Sequence, residues 1–96
     1  MARAGLVPSP REEVTQLTNA DVSGALTWQH TGGSDALLIG TTDDTEPSIE
    51  DFDAGLKVVR GDGLIDTSLA EMFPGASYVR LWSYSKDGCQ FAVYHA

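Results

Sequence analysis

Residues 78–94 read YVRLWSYSKDGCQFAVY, and this stretch decides the fold class. Residues 78–84 carry the longest strand signal in the chain, because apolar and polar side chains alternate with the period of a half-buried strand. Lys86-Asp87-Gly88 has the composition of a tight hairpin turn, and residues 89–94 form a second apolar-rich segment. The stretch therefore predicts two antiparallel strands joined by a hairpin.

Similar short segments, bounded by turn residues, recur upstream at intervals of about ten residues. The further strands are expected at residues 14–18, 25–30, 36–41, 56–59 and 64–65. The predicted fold is all-β, a seven-stranded antiparallel β-sandwich. Residues 42–55 are turn-rich and acidic, and residues 70–73 are expected to form one helical turn that Pro74 ends.

The chain is one domain in length. Its 96 residues, 42% hydrophobic and 21% charged, exclude multidomain enzymes and repeat solenoids and lie in the globular range. Residues 1–13 contain Pro8, Pro10 and the charged run Arg11-Glu12-Glu13, which predict an extended N-terminal arm or linker. The folded domain is then expected to span residues 14–96.

Charge excludes two classes of partner. Fourteen acidic and six basic residues give a formal charge of −8, and the basic residues are scattered. A nucleic acid or an anionic membrane would be repelled, so neither is expected as a partner. No segment approaches the length of an apolar membrane span.

The sequence indicates the cellular compartment of the protein only in part. Cys89 is the single cysteine, so no internal disulfide is expected, and it is interpreted as a small apolar residue at the start of the last strand. Residues 1–7 are too short an apolar run for a signal peptide.

The most informative feature is one strand with four large outward side chains. Val79, Leu81 and Ser83 are expected to face the core, because the opposite phase would bury the guanidinium of Arg80. The outward residues are then Tyr78, Arg80, Trp82 and Tyr84, which we call the aromatic face. This much aromatic surface equals or exceeds the largest patch of most soluble monomers, which predicts that something covers part of it.

Three kinds of cover for the aromatic face are considered. Arg80 could stack between Trp82 and Tyr78, or residues 1–13 could fold across the sheet. A protein partner could dock there, since Trp, Tyr and Arg are enriched at interface hot spots. A polysaccharide could also stack on the flat aromatic rings.

Five segments together carry a family pattern. They are residues 26–28 (LTW), 37–39 (LLI), 64–69 (LIDTSL), 74–84 (PGASYVRLWSY) and 86–88 (KDG). In this order they resemble the strands and turns of a bacterial-type fibronectin type III domain over residues 14–96. The resemblance implies an immunoglobulin-like sandwich in which strand F lies between strands C and G. Outward Leu38 and Tyr94 would then flank the aromatic face and extend the candidate binding site. Three extra residues within the segment 70–73 depart from the family pattern and lengthen the corner before strand F. Tyr78 matches the corner tyrosine of the family only if a bulge intervenes.

Other motifs give weaker indications. Arg60-Gly61-Asp62 spells the integrin tripeptide, but the adhesive fibronectin domains carry it between strands F and G, and turn chemistry explains it here. Six acidic residues between Asp43 and Asp53 could supply oxygen ligands to calcium, although they lack the spacing of a calcium-binding loop. His30 and His95 have no metal-like spacing, and the serines lack the context of a nucleophile, so neither an enzyme nor a cofactor is expected.

The expected function is that of a non-enzymatic structural module. The start at Met1 and the apparent single module favour a bacteriophage virion surface component, such as a head decoration, fibre or tail protein. It would dock on other protein subunits, including further copies of itself. The alternative is an extracellular spacer or carbohydrate-binding accessory module of a secreted hydrolase or adhesin.

Overall fold

The computed structural model describes residues 2–75 and 77–96. Met1 and Ala76, which fall in the predicted arm and in the stretch before the long strand, lie outside the described residues. The described residues form eight strands in two four-stranded antiparallel sheets, so an all-β fold compatible with a β-sandwich is confirmed. The strands are β1 Arg3–Ser9, β2 Val14–Gln16, β3 Leu26–Gly33, β4 Ala36–Thr41, β5 Leu56–Val58, β6 Gly63–Thr67, β7 Arg80–Tyr84 and β8 Cys89–His95.

Each sheet combines strands that are distant in sequence. Sheet I has the order β1-β8-β3-β6, and sheet II has the order β2-β7-β4-β5. The chain also contains a 3₁₀ helix at Ile49–Ala54 and a short helix, α1, at Leu69–Met72. Ser68 caps α1, since its hydroxyl accepts a hydrogen bond from the Glu71 amide.

The N-terminal segment is part of the sandwich, which corrects the prediction of an arm. All seven residues of β1 are in register with β8, from Arg3 opposite His95 to Ser9 opposite Cys89. Pro8 is tolerated because β1 lies at the edge of its sheet, where half of the backbone amides need no partner. Residues 10–13 then lead the chain across to β2 in sheet II.

The last two strands do not form the predicted hairpin. β7 pairs with β2 and β4, whereas β8 pairs with β1 and β3 in the other sheet. The turn between them is held by Ser85, whose hydroxyl donates to the Asp35 carbonyl and accepts from the Gly88 amide. Turn composition is the same for a hairpin and for a corner between sheets, so the sequence could not distinguish them. The strand order also differs from the resemblance, because β7 lies between β2 and β4 and not beside β8.

The core lies between the two sheets. Trp28 and Phe91 of sheet I pack edge to face with ring centroids 6.2 Å apart, and Leu38 and Leu81 of sheet II are fully buried. Its other members include Val7, Leu17, Val22, Leu26, Ala36, Val58, Leu69 and Val93. The sheets are also joined by a buried hydrogen bond of 2.8 Å between the hydroxyls of Ser9 and Ser83. These contacts leave each sheet with one outer face, and the two outer faces differ in what covers them.

Candidate functional site

The outer face of sheet II carries the predicted aromatic face. Leu81 and Ser83 are fully buried on the inner side of β7, as the predicted phase requires. Trp82 and Tyr84 alternate with them and point to the outer side. Trp82 is nevertheless only 4% exposed, and its indole Nε1 donates to the Thr41 hydroxyl at 2.8 Å. This tryptophan is therefore satisfied within the chain.

The cover is the acidic segment 42–55, which we call the acidic strap. Phe52, in the 3₁₀ helix of the strap, is fully buried and lies 5.9 Å from the ring of Tyr84. Pro47 is also buried. A Cβ at Gly55 would lie 3.1 Å from the Leu38 carbonyl oxygen, which shows how closely the strap approaches β4. Sequence reasoning missed this role, although Phe52 is the only aromatic residue in the strap and is the available signal.

Arg80 does not stack between aromatic rings. Its Nε donates to the Asp21 carboxylate at 2.7 Å, and its Nη1 donates to the Gln16 side-chain oxygen at 3.2 Å. The side chain of Arg80 is 17% exposed, whereas that of Asp21 is 66% exposed. The guanidinium thus ties β7 to the chain around β2.

Tyr78 lies at the far end of this face in a separate contact. Its ring meets Phe73 edge to face at 6.0 Å, and both are half-buried against the core. A Cβ on Gly40 would lie 3.0 Å from the Tyr78 ring, so the glycine allows this ring to approach β4 closely. The four residues predicted to form one exposed surface are consequently divided among internal contacts.

Two flanking residues were predicted in the wrong place. Leu38 is fully buried and is the register partner of Ser83, so it faces the core. Tyr94 is 50% exposed, but it belongs to β8 in sheet I. Tyr94 and the aromatic face therefore lie on opposite sides of the molecule. The cause is the unpredicted crossing between β7 and β8.

No segment of residues 2–75 or 77–96 covers the outer face of sheet I in this way. Its outward residues, which we call the neutral face, are Ala4, Leu6, Pro8, Thr27, Gln29, Gln90, Ala92 and Tyr94, with Leu64 and Ile65 at the β6 edge. Leu6 is 60% exposed and Ile65 is 84% exposed. The four strands, all within the described residues, contain only two Lys, Arg, Asp or Glu residues: Arg3 and Asp66. In a chain of net charge −8, this face is mostly apolar and almost uncharged.

A cleft of about 310 Å³ opens in the neutral face between β8 and β6. Gly61, Gly63 and Ala92 present little or no side chain, so the cleft lies between the larger side chains of Tyr94 and Ile65. Its remaining lining comes from Thr27, Trp28, Gln29 and Leu64.

The shape of the cleft depends on how β6 meets β3. A Cβ on Gly63 would lie 2.4 Å from the Trp28 carbonyl oxygen, so only glycine fits this close approach. The pairing shifts register next to it, where Asp66 has a positive φ of 52° and its amide donates to the Thr27 hydroxyl. This bulge leaves Ile65 projecting from the sheet edge. Alternation alone gives no signal for a bulge, so sequence reasoning did not find the cleft.

The Arg60-Gly61-Asp62 motif forms the tight connection between β5 and β6. The Asp62 carboxylate accepts a hydrogen bond from the Val59 amide, and the Gly61 amide donates to the His30 carbonyl. Gly61 has a φ of 96°, which favours glycine. The carboxylate is thus used within its own turn, in agreement with the interpretation as turn chemistry.

The titratable groups serve local contacts. His30 is fully buried and its Nε2–H donates to the Ser34 carbonyl, while the His95 Nδ1–H donates to the Ala96 carbonyl. Desolvation raises the pKa of the half-buried Cys89 thiol, against smaller opposing effects of hydrogen bonds with Ser85 and Ser9. Among residues 2–75 and 77–96, no three His, Cys, Asp or Glu side chains converge as metal ligands.

Comparisons with protein-family models, curated proteins and solved structures found no match to this chain. Within the described part of the chain, no helix is long and apolar enough to cross a membrane.

Proposed function

We propose that this chain is a non-enzymatic structural module that docks on other protein subunits through the neutral face. The observation that carries the proposal is the exposure of Leu6, Ile65 and Tyr94 on a face almost free of charge. The centres of protein interfaces are depleted in charged residues and enriched in aromatic ones, and contiguous exposed apolar patches mark binding surfaces. The proposed site is therefore on sheet I and not on the predicted aromatic face of sheet II.

The distribution of charge supports a protein partner over the other classes. Six acidic residues lie in the strap on the far side of the molecule, where they keep nucleic acids and other polyanions away. We retain the surface of a bacteriophage virion as the setting for this module, because a subunit of such an assembly needs a docking face and no catalytic group. The fibronectin type III resemblance stays a prediction.

The test is site-specific photo-crosslinking in cells that make the assembly. Ala92→benzoylphenylalanine puts the probe at the centre of the neutral face, and Ile49→benzoylphenylalanine is the matched control on the strap, where Ile49 is 50% exposed. We expect the Ala92 probe to capture protein subunits of particles that sediment with the chain. Leu6→Asp should abolish this capture.

Two results would overturn the proposal. Equal capture from both probe positions would show that protein subunits do not dock preferentially on the neutral face. Retention of the chain on immobilised polysaccharide, lost on Tyr94→Ala, would assign the same surface to the carbohydrate-binding alternative.

A further inference from the structure

We propose that the neutral face binds a second copy of this chain, with Leu6 of each copy seated in the cleft beside Ile65 of the other. This inference rests on the proposed function and names its partner. It follows from the positions of a projecting side chain and a cleft on one almost uncharged face of sheet I.

Leu6 and the cleft lie on the same cross-strand row. Leu6 is in register with Ala92, Ala92 with Gln29, and Gln29 with Gly63 in the lining of the cleft. The row crosses all four strands in the order β1-β8-β3-β6, so its centre lies between β8 and β3. With strands spaced about 4.8 Å apart, Leu6 and Gly63 each lie about 7 Å from that centre, on opposite sides.

A two-fold axis parallel to the strands makes this arrangement self-complementary. We place the axis between sheet I of one copy and sheet I of the other, above the centre of the row. A rotation of 180° about this axis then places β1 of one copy opposite β6 of the other. Leu6 of each copy then faces the cleft of its partner, as an isologous interface requires. Sheets that stack in this way have nearly aligned strands, which is a common sheet-on-sheet packing.

Charge also favours a second copy at this face. Arg3 and Asp66 are the only Lys, Arg, Asp or Glu residues of the four strands. Arg3 is in register with the buried His95, and His95 with the buried Leu26, so the side chain of Arg3 alternates towards the core and not onto the neutral face. Two chains of net charge −8 can therefore meet through this face without placing like charges in contact.

The size of the face indicates a weak dimer. Four strands of about seven residues cover roughly 19 by 23 Å, or about 440 Å² for each copy. Two such faces give roughly 900 Å², below the range of about 1,200–2,000 Å² for stable interfaces. Association should therefore depend on concentration, and an assembly that holds many copies would favour it.

Sedimentation velocity over increasing concentration tests the dimer. We expect reversible association that Leu6→Asp weakens by about tenfold or more, whereas Ile49→Asp leaves it unchanged. Both positions are exposed, so neither substitution should unfold the chain.

Disulfide trapping tests the contact itself. In a Cys89→Ser background, we expect chains carrying Leu6→Cys to cross-link with chains carrying Ile65→Cys, and the Ile49→Cys chains to cross-link with neither. A chain that stays monomeric at every concentration, or cross-links equally at Ile49→Cys, overturns this inference. If the Ala92 probe then still captures a different protein, and Leu6→Asp abolishes that capture, the proposed docking function stands without self-association. If the probe captures no protein, the docking function and the self-association both fail.

Discussion

At the scale of single residues, the cleft depends on a glycine. Gly63 lies where β6 closely approaches the backbone of β3. The Cβ of any other residue at this position would overlap the Trp28 carbonyl oxygen. The overlapping atom belongs to the backbone, so relief requires a movement of the strand and not of a side chain. The geometry of the cleft and the pairing of β6 are therefore linked at this residue.

We expect Gly63→Ala to lower the free energy of unfolding by about 2 kcal/mol, the usual scale for forced overlap in a packed region. Gly24→Ala is the matched control, since a Cβ there meets nothing within 4 Å, and it should be nearly neutral. Urea unfolding followed by circular dichroism measures both. Equal stability of the two variants would contradict the close approach of β6 to β3.

A second residue-scale prediction concerns Cys89. Burial raises the pKa of its thiol, so the reactive thiolate forms only at a pH above that of a free cysteine. Alkylation by iodoacetamide should be slow near neutral pH and accelerate at a higher pH than in the unfolded chain in urea. The pKa of this thiol is higher in the folded chain than in the unfolded chain. The free energy of unfolding should therefore fall only as the pH rises above the pKa of the unfolded thiol. A reaction rate equal to that of the unfolded chain would contradict this burial.

At the scale of elements, the acidic strap decides which sheet face is free. Its 3₁₀ helix is capped by reciprocal hydrogen bonds between Ser48 and Asp51, and Phe52, the one buried residue of that helix, anchors the strap over Tyr84. The surrounding carboxylates stay in solvent, so the strap folds without a large desolvation penalty for these charges. A polar segment with one apolar anchor thus covers an aromatic sheet.

We expect Phe52→Ala to release the strap and lower the free energy of unfolding by about 3 kcal/mol. Trp82 would become exposed, so tryptophan fluorescence should shift to longer wavelength while Trp28 stays in the core. Ile49→Ala, an exposed change in the same helix, should have neither effect. An unchanged fluorescence spectrum in Phe52→Ala would mean that the strap does not cover this face.

At the scale of the whole molecule, charge and apolar surface are separated. The chain carries a net charge of −8, yet the strands of sheet I hold one acidic and one basic residue. Two copies that meet through the neutral face keep their strap carboxylates on opposite outer sides. The remaining repulsion between the copies is long-range and is screened by salt.

We therefore expect sodium chloride to strengthen self-association modestly, because it screens the repulsion between two acidic molecules. Sedimentation at low and at physiological ionic strength measures the dissociation constant. Association that weakens steadily with salt would point to a contact made by charges and would contradict docking through the neutral face.

Alternation and turn chemistry predicted much of the fold. They located β3, β4, β7 and β8 and the inward phase of Leu81 and Ser83. They failed where prolines suggested a linker, because an edge strand accepts a proline that a central strand would not. They also failed at the corner of residues 85–88, where local composition carries no information on which sheet the next strand joins.

The sequence by itself determined that this protein is a small acidic all-β domain, because composition and period-two alternation are local properties that survive without contacts. Only the tertiary structure decided which surface is free. Phe52 of the strap packs on Tyr84 beside the buried Trp82, and the crossing between sheets carries Tyr94 to the opposite side with Leu6 and Ile65. These outcomes depend on contacts between residues distant in sequence, and side-chain periodicity within one strand cannot report what packs above it.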